Sequence, residues 1–399
     1  MLRRRWRSAV SAPVAGLTAL LVAFCAVPAA PAGAADVRED QRWVLEALNA
    51  EEAWKTSRGA GVTVALVDSA VDAEVAELRG RVTAGPVLGS DTFARADSTG
   101  RRHGTAMASL IAGAGKGGGG LLGVAPEARV LSLPMALDED LPVTAGDDLR
   151  TGRDSPLARA IRYAADNGAD VVSMSLGAYG PHRAEREAVS YALSRGVVLV
   201  AAAGNDGEGG YAEEKDTSFW SFPAGYSGVI GVGAVDRSGR PAPFSSGNLS
   251  VMVAAPGVDV PVVLPGGEYE SSQGTSSAAA LVAGVAALIK ARHPEMPPDM
   301  VARALTSTAG PVPAGYDEHV GFGVVDAGRA LERAGELMAA ARQVTVAEDH
   351  RFGGGAAVGE PPRPGGDPLR LWLYGVSLAC SVFAFTGAVV VLSRRTASR

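Results

Sequence analysis

The chain has 399 residues, 47% of them hydrophobic, enough for a large core and too apolar for a mostly disordered protein. The net charge is −6, and setting aside seven arginines at the two ends leaves about −13 for residues 36–370, which gives no footing for a nucleic-acid partner. The two cysteines, Cys25 and Cys380, both lie in apolar end segments, so the acidic middle has no disulfide, no cysteine metal site and no thiol nucleophile.

Residues 1–35 have the pattern of a signal peptide. Arg3, Arg4, Arg5 and Arg7 precede an apolar stretch from Ala9 to about Val27, and small residues follow up to Ala34 and Ala35, where cleavage is expected. An uncleaved anchor has the same features up to the cleavage site. Residues 36–60, with Trp43, Leu45, Leu48 and Trp54, predict short helical turns that pack on a larger body as an N-terminal extension.

From Gly61 the pattern changes. Gly61-Val62-Thr63-Val64-Ala65-Leu66-Val67-Asp68 is a nearly continuous apolar run ending in a carboxylate, as in a strand buried on both faces of a parallel sheet. Residues 128–133, 170–177 and 197–205 repeat that pattern, the last ending in Asn205. Helices are predicted between them. One starts at Ser155-Pro156 and stops before Gly168; another runs from about Arg183 to Gly196. Strands alternating with helices argue for an α/β fold whose parallel sheet is covered on both faces. Ligand sites in such sheets lie at the carboxyl ends of the strands, where Asp68 and Asn205 fall.

Shorter strands are expected at 229–235, 251–255 and 260–264, and a helix at 299–308. Residues 134–154 carry six acidic side chains and read as a surface loop. Residues 115–120 are glycine-rich but lack the Gly-Lys-Ser/Thr of a phosphate-binding loop. Residues 341–370 form a Gly/Pro-rich linker. Leu371–Leu392 is a 22-residue uncharged run led by Trp372 and Tyr374 and followed by Arg394 and Arg395. It is long enough to span about 30 Å of hydrocarbon, with residues 393–399 as a basic cytoplasmic tail. These ends predict an exported domain held at the plasma membrane by a single pass.

Four polar residues stand at structural junctions. Asp68 ends a strand, His103 opens His103-Gly104-Thr105-Ala106-Met107, Asn205 ends Ala201-Ala202-Ala203-Gly204-Asn205, and Ser276 follows Gly274-Thr275 at the start of an Ala-rich helix. Each alone is also an ordinary turn or cap residue. Together they supply what acyl transfer needs. A serine hydroxyl requires a base, and imidazole suits that task near neutral pH. A buried carboxylate fixes the imidazole tautomer, and an amide side chain together with a backbone N–H can hold the oxyanion.

In this order the motifs resemble those of subtilisin-type serine proteases (family S8) over roughly residues 43–335. The Asp, His, Ser order is a known mark of that group. The resemblance implies a subtilisin-like protease domain over 61–340, with Asp68 orienting the base, His103 as base, Ser276 as nucleophile and Asn205 in the oxyanion hole. It also implies that Ser173–Gly177 pairs with substrate backbone as an added strand. Ser175, Leu176, Gly177, Ala203 and Gly204 would then form the substrate-binding wall. The motif register selects Ser276 over Ser277.

The overall layout is most similar to the mycosins, membrane-anchored subtilases associated with type VII secretion. That likeness implies a protein or peptide substrate and a secretion complex as partner. No cofactor is expected; calcium is common in the family, but no ligand cluster stands out, so no metal residues are assigned. Four residues depart from the usual pattern: Ala70, Ser109, Ser277 and Ala280. They motivate a second reading, a catalytically weak subtilase fold that acts as a scaffold in a secretion complex. His182, His293, His319 and His350 lie in no such motif and are expected at the surface.

Overall fold

The computed structural model describes residues 34–88, 98–116, 119–135, 155–343 and 368–396. The expected signal peptide through residue 33, most of the acidic loop, most of the Gly/Pro linker and the end of the basic tail lie outside these residues.

The frame is a seven-stranded sheet. Its strands are β1 (Thr63–Asp68), β2 (Val82–Ala84), β5 (Arg129–Pro134), β6 (Val171–Met174), β8 (Val198–Ala202), β10 (Val229–Val235) and β11 (Val251–Pro256), in spatial order β11-β10-β8-β6-β1-β5-β2. Every neighbouring pair is parallel. β1 lies between β5 and β6, so its polar end opens among the carboxyl ends of the inner strands.

Strand periodicity divides the core in two. Val64 and Leu66 face one cluster, with residues of α3 (Arg102–Ala112) and α7 (Thr275–Arg292). Ala65 and Val67 face the other, with residues of α4 (Pro156–Asp166) and α5 (Arg183–Ser194). Neighbouring β1 side chains therefore serve opposite layers, and both layers are apolar, which is why the strand reads as an unbroken apolar run. Burying each Val or Leu contributes about 1.5–3 kcal/mol before chain entropy is counted. The termini of α4 follow its sequence signals: Ser155 Oγ accepts from Ala158 N at 2.9 Å, and Pro156 occupies the first turn.

Helix α7 is buried along nearly its whole length and is apolar enough to cross a membrane by composition alone, yet 83% of it is enclosed by protein. Its buried Lys290 is satisfied by carbonyls: Nζ donates to Pro294 O at 2.6 Å, Met296 O at 3.2 Å and Gly196 O at 3.4 Å. Burial, partly offset by Asp170 and Glu295, holds its pKa below the ordinary lysine value.

The N-terminal extension is more than short turns. α1 (Ala34–Ala47) has 14 residues and is followed by α2 (Ala50–Trp54). Val44, Leu45 and Leu48 lie in the same core cluster as α3 and α7. α1 packs on β4 (Gly119–Leu122), which forms an antiparallel pair with β3 (Ala114–Lys116). Gly119 and Gly120, at the end of the glycine-rich stretch, thus serve as a seat for α1: Arg38 donates to Gly120 O at 2.7 Å and to Gly119 O at 2.8 Å.

Around the cleft, β7 (Ala178–Tyr179) pairs antiparallel with β9 (Ser221–Phe222), and α6 (Gly210–Lys215) lies between them in sequence. β12 (Val260–Val263), expected simply as a further strand, stands outside the main sheet and pairs with β13 (Tyr269–Ser272), which leads into α7. α8 (Pro298–Thr308) and α9 (Ala327–Gln343) follow. The described residues beyond Ala341 belong to a separate unit. Within it, α10 (Pro368–Thr396) contains a 19-residue span, Trp372–Val390, none of it buried. Trp372, Tyr374, Phe383 and Phe385 are all exposed along it.

Candidate active site

Asp68 closes β1 and is buried, 4% exposed. Its Oδ1 accepts from Ser69 N at 2.6 Å. Both carboxylate oxygens meet His103 Nδ1, at 2.7 and 2.9 Å. His103 stands in the first turn of α3 and is about half exposed. Gly104 N donates to Ser69 Oγ at 2.8 Å, tying that turn to the end of β1. Burial disfavours the imidazolium most strongly, but the Asp68 charge and hydrogen bond outweigh it and hold the His103 pKa above its ordinary value. With Nδ1 facing the carboxylate, Nε2 is left as the basic nitrogen.

Helix α3 packs on α7, whose first turn carries Ser276. Gly274, just before that turn, has φ +145°, a conformation side chains other than glycine rarely adopt. A Cβ there would also stand 3.5 Å from Asn205 Nδ2. Asn205 Oδ1 accepts from Thr275 N at 3.0 Å and Thr275 Oγ1 at 2.9 Å. Thr275 Oγ1 accepts in turn from Gly204 N at 3.3 Å. These bonds occupy the acceptor end of the Asn205 amide, which leaves Nδ2 as its donor.

Ser276 and Asn205 line one cleft of about 470 Å³ together with Ser175, Leu176, Gly177 and Gly204. Ala203, expected in the wall, is fully buried and does not line it; its neighbours Ala202 and Gly204 do. The alternation continues past the end of β8 and turns the Ala203 methyl away. Sequence reasoning missed Asp206, Tyr179 and Ser221, which also line the cleft. Asp206 directly follows the Gly204-Asn205 motif, the one sequence signal that pointed to it. Ser277 is fully buried, and its hydroxyl shares a 2.9 Å hydrogen bond with Ser272, so the cleft-lining serine is Ser276.

The departures from the usual motif are accommodated. Ala70 is not among the residues with positive φ, so no left-handed turn is forced on it. Ser109 Oγ donates to Ala106 O at 2.6 Å and accepts from Val263 N at 3.2 Å, so the extra hydroxyl is satisfied. Ala280 is fully buried in α7. His182, His293 and His319 are half-buried rather than free at the surface. His182 caps α5 by accepting from Ala184 N at 3.2 Å, a local role that leaves no wider motif. His350 lies outside the described residues. Among the described residues, no group of three or more His, Cys, Asp or Glu side chains could hold a metal ion.

Residues 59–323 match the subtilase family, peptidase S8. The chain is 35% identical to fervidolysin of Fervidobacterium pennivorans over 73% of its length, and 37% identical to subtilisin E of Bacillus subtilis over 63%. It spans 44% and 61% of the length of these two relatives. Among solved structures, the MycP3 protease from the type VII (ESX-3) secretion system is similar, with TM-score 0.61 and 33% identity over 76% of this chain and 90% of that one. MycP1, described as an essential component of the type VII (ESX-1) secretion system, aligns with TM-score 0.59 and 34% identity over 72% of this chain and 88% of that one.

Proposed function

The chain belongs to the subtilase family, and from that membership we propose that it is a serine endopeptidase working outside the plasma membrane, anchored by α10 and associated with a type VII secretion complex. The observations that carry the chemistry are the buried Asp68 carboxylate paired with His103 Nδ1, and a cleft lined by Ser276 and Asn205, with the helices that carry His103 and Ser276 packed together.

In this reading a substrate segment lies extended along Ser175-Leu176-Gly177 and pairs with it through backbone groups. Ser276 Oγ attacks the scissile carbonyl while His103 Nε2 takes its proton. The imidazolium formed is stabilised by Asp68, already in contact through Nδ1. The carbonyl oxygen gains negative charge as it becomes tetrahedral. Asn205 Nδ2 and the Ser276 backbone N–H, in a helical first turn whose N–H groups lack intrahelical acceptors, stabilise that charge. His103 then protonates the leaving amine. Water repeats the sequence on the acyl-enzyme and restores Ser276.

The anchor rests on the uncharged, unburied 19-residue span of α10 and its aromatic start at Trp372 and Tyr374. Association with a secretion complex rests on the likeness to MycP1 and MycP3. The test is labelling of the detergent-solubilised full chain with a fluorophosphonate probe, mapped by mass spectrometry. Labelling at Ser276 that is lost in His103→Ala supports the peptidase. A folded protein that takes no label points instead to the scaffold reading.

A further inference from the structure

The far end of the cleft has a polar character that peptide hydrolysis by itself does not require. Asp206 is the one charged side chain among the described residues that line it, and it is exposed there. Its backbone is fixed by Asp206 N donating to Ser246 Oγ at 3.0 Å. Tyr179 lines the same wall, and its phenol is pushed up to about 12, by burial first and then by the neighbouring Asp206 carboxylate. Ser175 Oγ is buried with no hydrogen-bond partner among the described residues. Gly177 leaves room for one more hydroxyl: a Cβ on it would fall 2.0 Å from Ser221 Oγ.

An aromatic rim stands beside this polar end. Phe219 stacks on Tyr211 with ring centroids 3.9 Å apart and meets Tyr179 edge-on at 5.8 Å. All three rings are exposed. Such a group is suited to cover the methylene stem of a long side chain and to face a cation at its tip.

We propose that this end of the cleft receives a lysine or arginine side chain of the substrate, with Asp206 as its counter-charge and the Tyr179–Phe219 rim along its stem. The inference rests on the peptidase reading for the identity of the ligand as substrate. A purely apolar side chain would cover the exposed Asp206 carboxylate without offering the charge a counter-ion, which is unfavourable. A cation offers that carboxylate both a counter-charge and hydrogen-bond donors.

The test is calorimetric binding of short product-like peptides with a free C-terminal Lys, Arg, Met or Phe to the full-length Ser276→Ala protein in detergent. The Lys and Arg peptides are expected to bind ~10-fold tighter than the Met peptide. The ratio should approach one in the Asp206→Asn background and persist in Asp206→Glu. Raising salt from about 0.05 to about 0.5 M should shrink the parental ratio, a readout that needs no second variant. A Met or Phe peptide that binds as tightly as Lys, a preference that survives Asp206→Asn, or no binding by any peptide overturns the inference. Since the serine is absent, the outcome does not depend on hydrolysis. A basic preference in a protein that takes no fluorophosphonate would sink the peptidase reading alone.

Discussion

Thr275 holds Asn205 from two sides at once, its backbone N–H and its hydroxyl both donating to the same amide oxygen, at 3.0 and 2.9 Å. The amide is thereby oriented before any substrate arrives, which makes a donor effective in the transition state. Replacing Asn205 by Ala should lower kcat by ~10²–10³ with little change in KM. Thr275→Val keeps the shape and the backbone bond but removes the hydroxyl, so a smaller loss of kcat, ~10-fold, is expected, again with KM nearly constant. Steady-state kinetics on both variants checks this; a Thr275→Val effect confined to KM would contradict it.

The pH dependence follows from His103. Acylation needs the neutral imidazole, and Asp68 holds the His103 pKa above the usual 6.5. The rate of fluorophosphonate labelling should therefore rise with pH along a limb displaced to the alkaline side of an ordinary histidine. In Asp68→Asn the raising charge is gone and the burial that lowers the pKa remains, so the limb should move to lower pH while the plateau rate falls by ~10⁴. The linkage to folding has the opposite sense: the stabilisation from the charged pair is complete below the unfolded histidine value and is lost as pH rises through the folded one. A limb that stays in place in Asp68→Asn would show that another group controls it.

Much of this site was legible in the sequence because its parts coincide with the ends of elements. Asp68 and Asn205 follow apolar runs that had to be strands, and His103 and Ser276 stand where small polar turns meet apolar helices. What was not legible depends on contacts between distant segments or on fine geometry. The seat of α1 on residues 119–122 joins positions 81 or 82 apart, and no local pattern announces it. Ala203 and Gly204 read alike as small wall residues, and only the direction of the chain beyond β8 separates them. The charge of Asp206 was visible, but its place in the cleft was not. Ala70 could have been strained, a question that its backbone angle settles and its identity does not.

The α1 helix should behave as part of the folded body. Gln41 is 1% exposed; its amide donates to Leu122 O, and its Oε1 accepts from Leu122 N at 3.0 Å. Gln41→Ala removes the side-chain partner of both backbone groups of the half-buried Leu122 and should cost about 1–3 kcal/mol. Urea unfolding measures that loss, and labelling at Ser276 under native conditions should persist. Unchanged stability would mean that α1 rides on the surface without contributing to the fold.

The two adjacent serines at the start of α7 should separate chemistry from packing. Ser276 lines the cleft, whereas Ser277 is fully buried and bonded to Ser272 on β13. Ser276→Ala removes a hydroxyl that faces the cleft, so it should abolish labelling and change stability by less than about 0.5 kcal/mol. Ser277→Ala leaves Ser272 without that partner inside the protein and should cost about 1 kcal/mol, with the labelling rate kept within about twofold of the parent. Intact-mass labelling and urea unfolding on the same two proteins give both numbers. If Ser277→Ala lost its label while remaining folded, the nucleophile would be reassigned, and α7 would have to present its second serine to the cleft by turning about its axis. The burial of Ser277 among Ala278, Ala279 and Ala280 argues against such a turn, because it would bring a polar and partly exposed position into a tightly packed apolar layer.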